Sequence, residues 1–266
     1  MVAFLIHTNL LITFYLTISF VFLLSVFGET PPPQKILSFA LLVWQIYTLD
    51  RYLIHEEDQK ACPRPIEIAR FIQRHKGIFR FLLILSLLLE IGIFIEFPSY
   101  LVGYAMGLGL SLLYIWKIPG FHFRIKQIPY IKAFYVPAVS ILTFLAYLDR
   151  RVNFDLQFIL LYYLLLFFNT LVFDLKDLEN DKKSNIRTLA QALGANRLIN
   201  LVIFFSMGAM MMAYFGPPPW NLPMALAFLL VIVLLMFLKK SLQRNFYYFV
   251  FLDGFIAFPY FFSWVG

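Results

Sequence analysis

The sequence predicts an all-α polytopic membrane protein with nine transmembrane helices forming one bundle, and three observations predict it. The chain is 61% hydrophobic and 19% aromatic with a mean hydropathy of +0.78, above the apolar share of an ordinary soluble domain. Its apolar residues fall in runs of roughly 17 to 25, the length that crosses a bilayer as a helix. Its basic residues gather in alternate loops, the pattern that marks the cytoplasmic side of a membrane protein.

The first apolar run, about residues 4 to 27, has no basic residue ahead of it and no small-residue cleavage pattern behind it. It reads as a retained helix and not a removed signal peptide. The second, 34 to 54, leads into a charged loop. The third and fourth cover 78 to 95 and 99 to 116, and the fifth covers 129 to 148. The sixth, 154 to 173, runs into an acidic stretch. The seventh, eighth and ninth are 197 to 215, 220 to 238 and 246 to 264. Because these runs leave no room for a soluble domain, residues 1 to 266 read as a single transmembrane domain.

The net charge of +7 would suit a nucleic-acid partner, but its distribution argues otherwise. Segments 51 to 80, 117 to 132, 176 to 197 and 239 to 244 hold 19 of the 22 Lys and Arg; the others are Lys35, Arg150 and Arg151. The loops after helices two, four, six and eight therefore face the cytoplasm, as does the N-terminus. The charge is topological, no nucleic acid is expected, and the chain is an integral, multi-pass protein of a bacterial inner membrane or its equivalent. Cys62 is the single cysteine. That excludes an intrachain disulfide and a cysteine-based zinc or iron–sulfur site.

Three polar clusters lie on the cytoplasmic side. In "FNTLVFDLKDLENDKKSNIRTLAQALG", residues 168 to 194, a helical step of about 100° puts Thr170, Asp174, Asp177 and Asp181 on one stripe. Asn169, Lys176 and Glu179 point away from it. A solvated helix end interleaves acids with bases, whereas every charge on this stripe is acidic. Such carboxylates repel unless a cation sits among them, and magnesium favours carboxylate oxygens. In "YTLDRYLIHEEDQKACPRP", residues 47 to 65, Asp50, Ile54, Glu57 and Asp58 share a face with Arg51 beside it; a cytoplasmic loop of mixed charge is the other reading. The third cluster, residues 113 to 134, mixes Tyr114, Lys117, Arg124, Lys126, Tyr130 and Lys132. Positive-inside anchoring and interfacial tyrosines account for most of it. Two acidic edges facing a basic patch suit a diphosphate, since magnesium bridges carboxylate to phosphate while bases neutralise the remaining oxygens.

At these residues the sequence resembles the UbiA-type intramembrane prenyltransferase superfamily. Asp174, Asp177 and Asp181 match that family's second motif, D-x-x-D-x-x-x-D, and "NIRTLAQALG" is similar to its R-T-L-x-x-x-L-G continuation through Arg187, Thr188, Leu189 and Gly194. The family's first motif is N-D-x-x-D-x-x-x-D. With Asp58 on its last aspartate, Asp50 stands at the asparagine, Arg51 at the first aspartate and Ile54 at the middle one, followed by a matching Arg64-Pro65.

The resemblance implies a bundle around a lipid-accessible cavity and transfer of a prenyl group from a polyprenyl diphosphate to a lipophilic, aromatic acceptor. It implies Mg2+ held by Asp174, Asp177, Asp181, Asp58 and Glu57. Catalysis would rest on Asp174, Asp177, Asp181, Asp50 and Asp58. The diphosphate would meet Arg51, Lys182, Lys183, Arg187, Tyr114 and Lys132. Magnesium would act as a Lewis acid on the departing oxygens and the bases would stabilise leaving-group charge. Glu90 and Asp253 fall inside apolar runs, where an ionisable group usually faces the bundle interior. His55 could assist at the head group; His7, His75 and His122 lack ligand spacing.

Three other readings stand beside this one: phosphoribosyl transfer to a polyprenyl phosphate, a catalytically degenerate member that binds isoprenoid lipids or partner proteins, and a transporter. Transporters place their carboxylates near the midplane on broken helices, unlike the acids here. The D-G-x-x-A-R signature of CDP-alcohol phosphotransferases is absent.

Overall fold

A bilayer offers the backbone no hydrogen-bond partner, so a chain this apolar must satisfy its amides within helices. The computed structural model describes residues 9–52, 71–116, 124–148, 155–176, 178–183, 186–238 and 255–263. Among them every regular element is helical: α1 Leu10–Val26, α2 Pro33–Tyr52, α3 Lys76–Glu96, α4 Tyr100–Ile115, α5 Ile131–Tyr147, α6 Leu156–Lys176, α7 Leu178–Lys183, α8 Leu189–Leu193, α9 Ala195–Tyr214, α10 Asn221–Leu238 and α11 Phe258–Phe262. Short 3-10 turns cover Ile125–Gln127 and Phe255–Ala257. Long helices stand at eight of the nine expected spans. Of the ninth, residues 246 to 254 and Trp264 lie outside the described residues, and α11 falls near its close. Three helices, Lys76–Glu96, α6 through Leu175 and Ala195–Tyr214, are long and apolar enough to cross a membrane by themselves. The chain is an integral membrane protein.

Local sequence punctuates these helices. Gly28 follows α1 at φ +71°, so its N–H reaches the Ser25 carbonyl at 3.0 Å while Glu29 N–H reaches Leu24 at 2.9 Å. That is a Schellman ending, which glycine adopts without steric cost. Asp155 starts α6 by accepting the Phe158 N–H at 3.1 Å through Oδ1. Its Oδ2 accepts the Trp220 indole N–H at 2.9 Å, which joins the starts of α6 and α10. Thr188 caps α8 through its side-chain oxygen.

Packing closes a ring: α1 on α2, α2 on α4, α4 on α5, α5 on α6, α6 on α9, α9 on α10, α10 on α11, and α11 back on α1. Aromatic side chains fill the join. Phe20 of α1 stacks on Phe39 of α2 at 4.2 Å, with Phe144 and Tyr147 of α5 against them. Helix α3 stands outside the ring against α2. Most of its surface is exposed apolar side chain, and its buried residues are Phe79, Ser86 and Glu90.

Two of those three are polar, so α3 docks by hydrogen bonds. Ser86 Oγ accepts from Gln45 Nε2 at 3.0 Å, and Gln45 Oε1 accepts from the Tyr104 hydroxyl at 2.6 Å. One turn further along, Ser38 Oγ donates to Glu90 Oε2 at 2.9 Å and lies 3.0 Å from the Tyr147 hydroxyl. Glu90 faces the interior as its place in an apolar run predicts. Asp253 lies outside the described residues.

Candidate functional site

The site begins where α6 leaves its apolar stretch. Thr170 and Asp174 lie one turn apart on the stripe that the ring buries; the Thr170 hydroxyl satisfies itself on the Leu166 carbonyl at 3.0 Å. Asp174 is fully buried, and Asp181, two turns on in α7, is 6% exposed. Burial of two carboxylates so close demands a positive partner. Lys132 of α5 supplies one. Its Nζ lies 2.8 Å from Asp174 Oδ1 and 3.1 Å from Asp181 Oδ2.

Backbone ties hold that meeting in place. Tyr130, just ahead of α5, has φ +63°, a left-handed conformation that costs a non-glycine residue about 1 kcal/mol or more. Its N–H donates to the Arg187 carbonyl at 2.9 Å, so the start of α5 is pinned to the segment after α7. That segment turns back because Ile186 N–H reaches the Asp181 carbonyl at 2.8 Å and Gln191 Nε2 reaches the Ile186 carbonyl at 2.9 Å.

A second helix pair completes the surroundings. The Tyr114 hydroxyl, near the end of α4, lies within range of the charges of Lys132, Asp50, Asp174 and Asp181. Its ring stacks on Tyr135 of α5 at 5.4 Å, and the Tyr135 hydroxyl is anchored on the Leu110 carbonyl at 2.8 Å. Asp50 on α2, Tyr114 on α4, Lys132 on α5, Asp174 on α6 and Asp181 on α7 thus share one neighbourhood, although the sequence spreads them over five elements.

Other expected residues stand differently. The side chains of Lys182 and Arg187 are exposed. Glu57, Asp58, Ile54, His55 and Asp177 lie outside the described residues, as do the side chains of Arg51 and Lys183. Among the described residues no group of three or more His, Cys, Asp or Glu is placed to hold a metal. The described acids still suit one. Asp174 and Asp181 converge on a single cation with hard oxygen donors, and magnesium commonly takes one or two carboxylates alongside phosphate and water.

Arg124 is a residue the sequence underrates. It reads there as one of several interfacial anchors, yet it is 2% exposed at the mouth of the Ile125–Gln127 turn that packs on α4 and α5. Only its setting among other bases hinted at more.

No family model and no curated protein matches the sequence. Solved structures do match. A UbiA homolog from Archaeoglobus fulgidus bound to GPP and Mg2+ superposes with a TM-score of 0.64 at 15% identity, covering 96% of this chain and 95% of that one. The structure of a UbiA homolog from the same organism bound to DMAPP and Mg2+ gives 0.63 at 15% identity, with 96% and 94% covered. One bound to Cd2+ gives 0.58 at 15% identity, with 94% of each chain covered. The fold of the chain is the UbiA-type prenyltransferase fold.

Proposed function

We propose that this chain, built on the UbiA fold, is a magnesium-dependent intramembrane transferase that moves a prenyl group from a polyprenyl diphosphate to a lipophilic, aromatic acceptor. The observation that carries the reading is the convergence of buried Asp174 and Asp181 on one cation, with Asp50 and Tyr114 beside them, in a fold whose solved examples bind GPP or DMAPP with Mg2+.

Asp174 and Asp181, joined by Asp177 and by Asp58 and Glu57 of the cluster at residues 47 to 65, would hold the metal. When bound, it supplies Lewis-acid stabilisation of the departing diphosphate oxygens. The chain's own residues do the rest. Lys132, reaching over from α5, and Tyr114 offer donors to the diphosphate; Arg51, Lys182, Lys183 and Arg187 add positive charge at the rim. The ring of apolar helices would enclose a cavity that takes the hydrocarbon tail and keeps water from the allylic cation until the acceptor reacts. Topologically, the acids would face the cytoplasm and the whole chain would act as one domain.

A second reading has its own support. Ile54 and Arg51 stand where the family has aspartates, which suits a protein that binds isoprenoid diphosphates without turning them over. Pyrophosphate release decides between them. Purified protein in lipid, given Mg2+, prenyl diphosphates and a panel of aromatic acceptors, should release pyrophosphate. Release from Ile54→Asp but none from the parent would establish the binding protein instead.

A further inference from the structure

The middle of the ring is closed at one level by aromatic side chains. Phe20 of α1 lies 5.8 Å from Phe144 and 5.6 Å from Tyr147 of α5, centroid to centroid, although α1 and α5 stand apart in the ring order. Phe39 of α2 meets the same two rings at 5.3 and 5.8 Å, and Tyr162 of α6 meets Phe144 at 6.0 Å. The Tyr162 hydroxyl carries the crossing back to α1 by donating to the Ser19 carbonyl at 3.1 Å. Helices that do not adjoin can touch only if side chains fill the space between them, and each of these five aromatic residues is 2% exposed or less. The closure is also distant from the acids. Twelve residues separate Lys132 from Phe144 on α5 and Asp174 from Tyr162 on α6, and eleven separate Asp50 from Phe39 on α2. At the helical rise each interval is about 16 to 18 Å, so three helices put the closure at one depth. Val136 and Ser140, at four-residue steps between Lys132 and Phe144, are half-buried and not sealed.

We infer that this aromatic layer is the floor of the donor's hydrocarbon passage and limits the prenyl diphosphate the chain accepts to about four isoprene units. This rests on the reading of the acids as the seat of the diphosphate. An extended chain advances roughly 3.3 to 3.6 Å over three backbone bonds, so an isoprene unit of four bonds spans about 4.5 Å. About four units therefore fill the depth between the acids and the rings. A longer tail must push the layer apart or fold back on itself. The layer resists, because a close-packed interior has no slack for added volume. Two of its rings are also tied by their hydroxyls, Tyr147 to Ser38 at 3.0 Å and Tyr162 to the Ser19 carbonyl, and swinging either one aside gives up a buried hydrogen bond. Below the limit each added unit buries more apolar surface. Affinity should therefore climb with tail length and then break at the floor. A tail that left the ring sideways between helices would show the climb without the break.

The test measures equilibrium binding of non-reactive prenyl thiodiphosphates of two, three, four, six and eight units to the purified full-length protein in lipid with Mg2+. The parent should bind more tightly at each step up to four units, and about tenfold or more less tightly at six. Phe144→Ala removes the ring that meets Phe20, Phe39 and Tyr162, and it should bind the six-unit probe at least as tightly as the four-unit one. Phe39→Leu gives the same comparison from another helix should the alanine variant misfold. Leu142→Ala, on the exposed side of α5, should keep the parent's break. The readout is the ratio of six-unit to four-unit affinity within each protein, which cancels any uniform loss. Partition of long tails into lipid is common to all the proteins, so a change of ratio between them belongs to the passage. A parent that binds six and eight units as tightly as four would overturn the inference, as would folded Phe144→Ala and Phe39→Leu proteins that keep the parent's ratio. Absence of binding of every probe to every protein would instead remove the prenyl-diphosphate reading, and this inference with it.

Discussion

Lys132 and Asp181 are separated by 49 positions, and their contact shows how single residues divide the work at the site. Asp174 is the acid the bundle has sealed from solvent, so its loss is the more damaging. Asp174→Asn should weaken magnesium-dependent prenyl-diphosphate binding about a hundredfold, the equivalent of the roughly 3 kcal/mol that removing one member of a buried charge pair costs. Asp181→Asn should follow the same direction and Glu57→Ala should weaken binding only partly. Equilibrium binding of a non-reactive prenyl thiodiphosphate, with and without Mg2+, measures all three; parent-like binding in every variant would remove these acids from the site. A different residue should behave in the opposite sense. Asn169 is 8% exposed, and among the described residues its Oδ1 has no hydrogen-bond partner. A buried unsatisfied oxygen costs about 1 to 3 kcal/mol, so Asn169→Leu, of similar volume, should raise the melting temperature in detergent. A lower melting temperature would mean that the oxygen is satisfied.

At the scale of helices, close packing and polar contacts can be separated by mutation. Gly103 of α4 lies against Tyr147 of α5 so tightly that an added Cβ would sit 2.4 Å from the Tyr147 ring, whereas one at Gly109 would meet nothing within 4 Å. Gly103→Ala should therefore destabilise by about 1 to 3 kcal/mol through overpacking, and it should disturb the Ser38–Tyr147 contact. Gly109→Ala should stabilise by up to about 1 kcal/mol through helix propensity. Denaturation of the two variants side by side checks the contrast. Helix α3 depends on polar contacts instead, because lipid gives its apolar surface no reason to prefer the bundle. A double-mutant cycle of Gln45→Leu and Ser86→Ala should return a coupling of about 0.6 kcal/mol, and no more than roughly 1.7. Zero coupling would show that other contacts seat α3.

For the whole molecule, orientation is testable through its single cysteine. The distribution of basic residues predicts a cytoplasmic Cys62, so a membrane-impermeant maleimide should label it in inverted vesicles and spare it in intact spheroplasts. The reverse labelling would invert the topology and put the acids on the other face. The long spans could be read in advance because hydropathy and backbone satisfaction in lipid impose helices wherever apolar runs are long enough. Their ring order could not: the helical period says which side chains share a face, but nothing about which neighbour that face meets. The same limit applied at Glu90, where burial was readable from its apolar setting and its partner Ser38, on another helix, was not.

The sequence by itself determined an all-helical membrane protein, the approximate limits of the eight spans at which long helices stand, and a shared face for Thr170 and Asp174 near the end of the sixth. All of that follows from local composition and a 3.6-residue period. Tertiary structure decided which cation answers the stripe. Lys132, legible in sequence only as one base among several, reaches Asp174 and Asp181 because α5 packs beside α6 and because Tyr130 is bonded to Arg187. It decided also that Asp50 of the cluster at residues 47 to 65 and Tyr114 share that neighbourhood, and that Arg124 is buried while Lys182 and Arg187 stay in solvent. The physical reason is that charge balance in a low-dielectric interior depends on distances of a few ångströms between elements, and those distances are set by packing across the ring.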